Sequence, residues 1–188
     1  MPTELKPPDP PLTDGVVTVR VADETRDSVG AAAPPDAEIA RWIFGESPEE
    51  PPDPAEQFAH YRELWRAGTA ASFSVDAVGH EQRVGVAGVL LGLVDPFRLA
   101  EVGYIFQPHG RGHGYATRTV RLLARWVFDD LGLARLQART HPDNIASQRV
   151  LERVGFQREG LARAANQYLL SGERHDCVMW SLLPGEMR

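Results

Sequence analysis

Arg111, Gly112, His113, Gly114, Tyr115 and Ala116 make a turn with two glycines and one arginine, set between segments of different periodicity. Small residues let an anion approach the main chain closely, so the chemistry on offer is the binding of a phosphate or diphosphate by backbone N–H groups. Upstream, Glu101 to Phe106 reads as a strand. Downstream, Val120, Leu123, Ala124, Val127 and Leu131 recur at helical spacing, and Gly132 stops the run. A strand–turn–helix unit aims the first N–H groups of the helix, and the positive end of its dipole, at the turn.

The turn is neither of the two common nucleotide loops. A Walker loop needs Lys and then Ser or Thr after its last glycine, whereas Tyr115 and Ala116 stand there and the one lysine is Lys6. Neither Gly110 nor Gly112 opens a complete G-x-G-x-x-G, and no acid ends a second strand at the ribose distance. Arg111-x-x-Gly114-x-Ala116 instead resembles the R/Q-x-x-G-x-G/A loop of the GNAT N-acetyltransferase superfamily, which grips the diphosphate of coenzyme A. The resemblance is to the RimJ/RimL-type branch, whose members include ribosomal-protein N-terminal acetyltransferases, and it covers nearly the whole domain. Its markers are Leu12-Thr13-Asp14-Gly15 before a strand carrying Arg20, then Arg41-Trp42 and Ala100-Glu101-Val102-Gly103-Tyr104. The loop itself runs on to Thr117, and Asn144-Ile145-Ala146-Ser147 and Val154-Gly155-Phe156 follow in the family's order.

The elements around the turn read as an antiparallel meander feeding one parallel pair. Val16 to Val21 alternates as a strand, and Asp36 to Phe44 carries a short helical pattern ending near Gly45. After the proline cluster Pro48, Pro51, Pro52 and Pro54, Asp53 can cap a helix with Glu56 in a capping box, and Gly68 stops it. Phe58, Tyr61 and Trp65 share one face of that helix, either as sheet packing or as wall of an acceptor pocket. Ala71 to Ala77 and Arg83 to Val94 form a hairpin, Asp95-Pro96 turns the chain, and Leu99 to Phe106 leads into the loop. Ala134 to Thr140 alternates as the next strand, about Asn144 to Val154 is a second helix, and strands at Phe156–Leu170 and Arg174–Leu182 close the chain. The fold expected is α/β (α+β): a mixed, mostly antiparallel sheet of about seven strands with helices on both faces. The resemblance adds that the strands ending at Phe106 and Thr140 splay apart, and that the pantetheine arm lies in the wedge. There its amides complete strand pairing that would otherwise leave buried N–H and C=O groups unpaired.

Moving an acetyl group from a thioester to an amine requires a polarised carbonyl, a neutral amine and a proton for the leaving thiolate. Backbone N–H groups near Ile105 and Phe106 are candidates for the first role. Glu101, a carboxylate in an otherwise apolar strand, is the candidate base if burial raises its pKa. An ion pair to an arginine on a neighbouring strand is the alternative. Family members place a strand glutamate in the basic role. By resemblance too, Asn144 holds the pantetheine arm and Ser147 protonates the thiolate. Leu151 stands where many of these enzymes carry a tyrosine acid, seven residues after the asparagine. Without that resemblance, Asn144 reads as a helix cap and Ser147 as a surface serine. An α-amine of pKa ~8 is ~10% neutral at pH 7, far more than a lysine amine at ~10.4, so chain termini are the easier acceptors.

Length and composition fit one domain from about residue 15 to 188, behind a proline-rich arm at 1–14 expected to be disordered. No run is apolar enough for a membrane span, no signal pattern opens the chain, and the single Cys177 suits a reducing cytoplasm. From Gln107 onward 12 arginines face 8 acidic residues, whereas the preceding part has 8 basic residues against 18 acidic ones. A basic half suits a polyphosphate, and an acidic half favours a cationic amine. His109, His113 and His141 lack cysteine partners and closed spacing, so no metal is expected. Net acidity without aromatic interleaving argues against nucleic acid for the Arg118–Arg121–Arg125 stripe. Without a G-x-S-x-G elbow, direct transfer from acetyl-CoA, as co-substrate, to a protein N-terminus or small amine is the simplest reaction. The alternative is a catalytically idle module that binds coenzyme A. A homodimer is the default assembly for such domains.

Overall fold

A computed structural model of the chain describes residues 5–31, 36–45, 53–91, 99–169 and 171–188. Among them runs one eight-stranded sheet in the order β1-β2-β3-β4-β5-β6-β8-β7. Its strands are β1 (Leu12–Thr13), β2 (Val17–Val21), β3 (Ala70–Ala77), β4 (Gly85–Leu91), β5 (Leu99–Phe106), β6 (Arg135–Thr140), β7 (Gln157–Gln167) and β8 (Arg174–Leu182). Every neighbouring pair is antiparallel except β5 and β6, which are parallel. The expected turn at Asp95-Pro96 and the strand's extension to Val94 lie outside the described residues.

The eighth strand is β1, inside the segment expected to be a disordered arm. Thr13 Oγ1 donates to Val17 O, and Asp14 Oδ1 accepts from the N–H groups of Val16 and Val17. These bonds close a tight turn that pairs Leu12 with Val19, and Leu12 packs against the core. Leu5, further upstream, packs against the core as well, so this part of the expected arm lies against the sheet.

Strand alternation sorts the sheet into an apolar and a polar face. On the apolar face Val19, Phe73, Val89, Val102, Leu136 and Trp180 are buried, covered by α4 (Tyr115–Arg125) and α5 (Ile145–Val154) through Val120, Leu123 and Leu151. The helical run expected to reach Leu131 widens after Arg125 into a π-helical turn, Trp126–Asp130, closed by Leu131 N–H on Trp126 O. The extra residue brings both Trp126 and Val127 to the core, where Trp126 meets Trp65 and Phe73 edge-on or tilted. Trp65 belongs to α3 (Pro54–Ala67), capped by Asp53 on Ala55 N–H and stopped at Gly68. Phe58 and Trp65 are buried, so these two aromatics pack rather than bind.

The polar face carries α1 (Glu24–Ala31), tied down by charge. Arg20 on β2 donates to both oxygens of Asp27, at 2.9 and 2.6 Å, and to Asp76 on β3 at 2.8 and 3.2 Å. Ser74 Oγ adds a 2.7 Å bond to Asp27. Burial alone would raise the Asp27 carboxyl, but bonds from Arg20, the Asp23 N–H and Ser74 outweigh it and hold the group at about 2. A depressed carboxyl contributes its stability in full above its unfolded pKa near 3.8 and loses it as pH falls toward 2. Thermal melting should therefore lose about 2 kcal/mol of stability between pH 5 and pH 2 through this group. Asp27→Asn should lower stability at pH 7 and flatten that part of the profile; an unchanged profile would show that the network contributes nothing.

Candidate active site

The β5–β6 ladder pairs Leu99 with Arg135, Ala100 with Leu136 and Glu101 with Gln137, and then stops. Both strands continue past it, to Phe106 and Thr140, with no pairing between them. This is the expected wedge. On its other edge β5 stays paired with β4 along Gly85↔Phe106 to Leu91↔Ala100. Gln107 N–H donates to Val84 O, so by strand alternation the main-chain groups of Gly103 and Ile105 also face β4. Those of Val102, Tyr104 and Phe106 face the wedge. The Ile105 N–H expected to polarise a carbonyl is thus engaged by the sheet; Tyr104 and Phe106 supply the free N–H groups, and Ile105 contributes its side chain to the wall.

Where β5 ends, the loop meets α4. Gly112 and Gly114 both have φ of +78°, and Gly114 is the N-cap of α4 without a capping side chain. Arg118 N–H makes the first helical bond, to Gly114 O. Among the described residues, the N–H groups of Gly112, His113, Gly114, Tyr115, Ala116 and Thr117 have no partner in the protein. Six donors at the positive end of one helix can together accept an anion, which is the chemistry this loop has to offer. A Cβ at Gly112 or Gly114 would meet nothing within 4 Å, so the space over the loop is open.

Arg111 is turned away from that seat. Its Nε donates to Phe106 O at 2.9 Å, and its terminal nitrogens pair with Asp36 at 2.6 Å and Glu38 at 2.8 Å. Asp36 caps α2 (Ala37–Ile39), which runs on as a π-helical turn, Ala40–Phe44, to Gly45. The arginine expected to hold phosphate therefore joins the end of β5 to α2, its guanidinium taken up by one carbonyl and two carboxylates.

A cavity of about 900 Å³ follows the wedge from the loop to Glu101. It brings together Glu101, Ile105, Phe106, Arg111, Gly112, Gly114, Tyr115, Ala116, Thr117, Asn144 and Ser147. His113 lies instead in an adjoining hollow of about 480 Å³ with Arg118, Arg121, Arg125 and Arg153, its ring stacked on Tyr115 at 5.3 Å. Gly114 and Thr117 line both spaces, and the second is rich in arginine, with Asp14 also on its wall and paired to Arg118 at 2.6 Å.

Glu101 is 8% exposed and ion-paired. Its Oε1 accepts from Arg139 Nε at 2.8 Å and lies 2.7 Å from an Arg139 terminal nitrogen, while Oε2 accepts from Gln137 Nε2 at 3.0 Å. The ion pair to an arginine on the neighbouring strand is present, and the carboxylate also lines the cavity. Asn144 is a helix cap, accepting from Ser147 N–H at 3.0 Å, which leaves its amide N–H groups for the cavity. Ser147 Oγ lies 2.9 Å from the hydroxyl of Tyr104.

Sequence reasoning did not single out the chemistry of Tyr104, Trp42 or His175. Burial pushes the Tyr104 phenol up to about 12, against a small opposing effect of its bond to Ser147. His175 Nδ1 is 2.9 Å from Asp176 O, and since a carbonyl only accepts, that nitrogen carries the proton. His175 Nε2 and Trp42 Nε1 are buried without a partner. Their rings meet His141, each at 5.1 Å between centroids, and all three residues line the cavity. Burial and the neighbouring His175 lower the pKa of His141. The signal was there in Arg41-Trp42, but nothing local says that β8 brings a histidine to it. Among the described residues no group of His, Cys, Asp and Glu is set to hold a metal, and no helix is long and apolar enough to cross a membrane.

Residues 17–157 match the model of the GNAT acetyltransferase domain. The provisionally named ribosomal N-acetyltransferase YdaF of Bacillus subtilis is 32% identical over 158 residues, covering 79% of each chain. The crystal structure of ribosomal-protein-S5-alanine acetyltransferase from Vibrio fischeri superposes with a TM-score of 0.78 at 21% identity, covering 95% of this chain and 98% of its own. Spermidine N-acetyltransferase from Vibrio cholerae, in complex with CoA and spermine, gives 0.73 at 17% identity over 92% and 98%. A row of unpartnered N–H groups at the mouth of a splayed parallel pair and a domain match over most of the chain point the same way: the protein is an acyltransferase that belongs to the GNAT acetyltransferase family.

Proposed function

We propose that this enzyme transfers acetyl directly from acetyl-CoA to a primary amine within a ternary complex, with a protein N-terminus as the foremost acceptor. The observation that carries the reading is the row of six unpartnered N–H groups from Gly112 to Thr117, opening onto an unpaired stretch of β5. The diphosphate sits on that row, with the Arg118, Arg121, Arg125 and Arg153 hollow taking the nucleotide end. Pantetheine amides pair with the wedge-facing groups of β5, whose alternate residues repeat every ~7 Å. Asn144 steadies the same arm through its amide N–H groups.

At the thioester, the N–H groups of Tyr104 and Phe106 stand where a developing oxyanion needs fixed donors. Glu101 takes the amine proton, directly or through water. Its Oε1 already holds two contacts from Arg139, but Oε2 has one partner and keeps a lone pair for the cavity. Ser147 gives a proton to the departing sulfur. Bond changes balance: nitrogen–carbon forms, carbon–sulfur breaks, one proton leaves nitrogen and one reaches sulfur.

YdaF is named a ribosomal N-acetyltransferase and the Vibrio fischeri enzyme a ribosomal-protein-S5-alanine acetyltransferase, which favours a peptide terminus. The spermidine enzyme keeps polyamines as a second class. Calorimetry should detect acetyl-CoA binding, and thiol release should then depend on added amine, with peptides beginning in Ala or Ser turning over before spermine. Binding with no release from any amine would mark an idle coenzyme A module. Accumulation of acetylated protein in a burst without acceptor would replace direct transfer with a covalent route.

A further inference from the structure

We propose that Tyr104 is a positioning residue for the acid of this reaction: its hydroxyl donates to Ser147 Oγ and so turns the serine's own proton toward the cavity. The inference rests on Ser147 being the proton donor to sulfur, and it assigns a role to a side chain of β5 that has none otherwise. Tyr104 lies on the apolar face of β5, and its hydroxyl reaches the first turn of α5. It has two acceptors there, both on Ser147: Oγ at 2.9 Å and the carbonyl oxygen at 3.2 Å.

The direction of the short bond follows from acidity. A phenol is the stronger acid of the two hydroxyls, so it is the better donor, and an aliphatic oxygen is the better acceptor. With Tyr104 donating, the Ser147 oxygen has an acceptor position filled and its hydrogen must point elsewhere. The serine lines the cavity, so the open direction is the cleft. Ser147 N–H is held by Asn144 Oδ1, so the main chain that carries the serine is itself fixed. Burial also keeps the phenol protonated across the working pH range, so the bond does not reverse as pH rises. When Ser147 gives its proton to the thiolate, Tyr104 can pass its own to Ser147 Oγ, and the phenolate is reprotonated by water. Water gives one proton and becomes hydroxide, which the proton released from the amine neutralises; one proton ends on sulfur, and neither residue changes overall.

Purified Tyr104→Phe, Ser147→Ala and the double variant should be compared with the wild-type enzyme using acetyl-CoA and an acceptor already shown to turn over. Tyr104→Phe keeps the ring and should lower kcat about tenfold with KM for acetyl-CoA changed less than twofold. Ser147→Ala should lower kcat at least as far, and the double variant should be no slower than Ser147→Ala, since the tyrosine acts only through the serine. Circular dichroism and melting separate a folding defect from this pattern. Multiplicative losses in the double variant, or an unchanged kcat for Tyr104→Phe, overturn the proposal. A silent Ser147→Ala overturns the serine's role as well, whatever Tyr104→Phe does. A Tyr104→Phe variant that raises KM at constant kcat also overturns it, because that is the mark of a packing residue in the cleft.

Discussion

Gly114→Val is expected to lower the affinity for acetyl-CoA about 100-fold, with the far-ultraviolet spectrum of the folded protein retained. Gly114 holds φ of +78° at the N-cap of α4, a region in which a β-branched residue is strained by ~1–3 kcal/mol. A Cβ there would meet no protein atom within 4 Å, so the protein does not repack to reject it. Relief comes by rotating the loop, and rotation re-aims the N–H groups on either side of residue 114. Any side chain also stands where the anion approaches. Losing one or two charge-assisted bonds of about 1.5–3 kcal/mol is enough for the stated factor. Gly114→Ala gives a smaller effect, about tenfold, because it carries the backbone strain with little bulk. Calorimetry on both variants checks the order. Equal affinity in all three proteins would mean that the diphosphate does not use this loop.

If Glu101 is the base proposed above, Glu101→Gln should lower kcat about 100-fold at pH 7 while acetyl-CoA affinity stays within twofold of wild type. The amide retains the size of the side chain and one acceptor oxygen, so the strand and the wedge keep their shape. What it loses is the ability to take a proton. Because an α-amine is ~10% neutral at pH 7 and a lysine-type amine far less, the defect should be larger for polyamine acceptors and should shrink as pH rises. Arg139→Gln separates the two roles of the carboxylate. If Arg139 merely anchors Glu101, its loss lowers melting temperature more than turnover; matched losses of turnover in both variants would assign catalysis to the pair. Turnover by Glu101→Gln that equals wild type across pH removes Glu101 from the chemistry.

Elements whose signal lies within one stretch of chain were legible in the sequence: the amphipathic α4, the Asp53 cap and Gly68 stop of α3, and the loop with its two glycines. The parallel pair and its splay followed from strand–helix–strand order and family resemblance. What escaped was set by partners distant in sequence. Arg111 is drawn to Asp36 and Glu38, more than seventy residues upstream, and nothing around Arg111 announces them. Ile105 lost its assigned N–H because which alternate amides face β4 depends on the register of that pairing. Of the three aromatics on α3, Tyr61 alone lines the cavity, a matter of how the helix rolls on the sheet. Trp42, His141 and His175 converge from three separate elements, so their cluster exists only in the fold.

The unequal anchoring of β5 has a thermodynamic consequence. One edge is laced to β4 along the whole strand and the other to β6 for three residues, so the slot is kept open by covalently distant but permanent neighbours. Its occupant meets a mould already set. On the reading proposed above, association then costs the guest its own freedom of tumbling and internal rotation and the host comparatively little, so that a modest set of main-chain contacts can suffice for a long, flexible molecule.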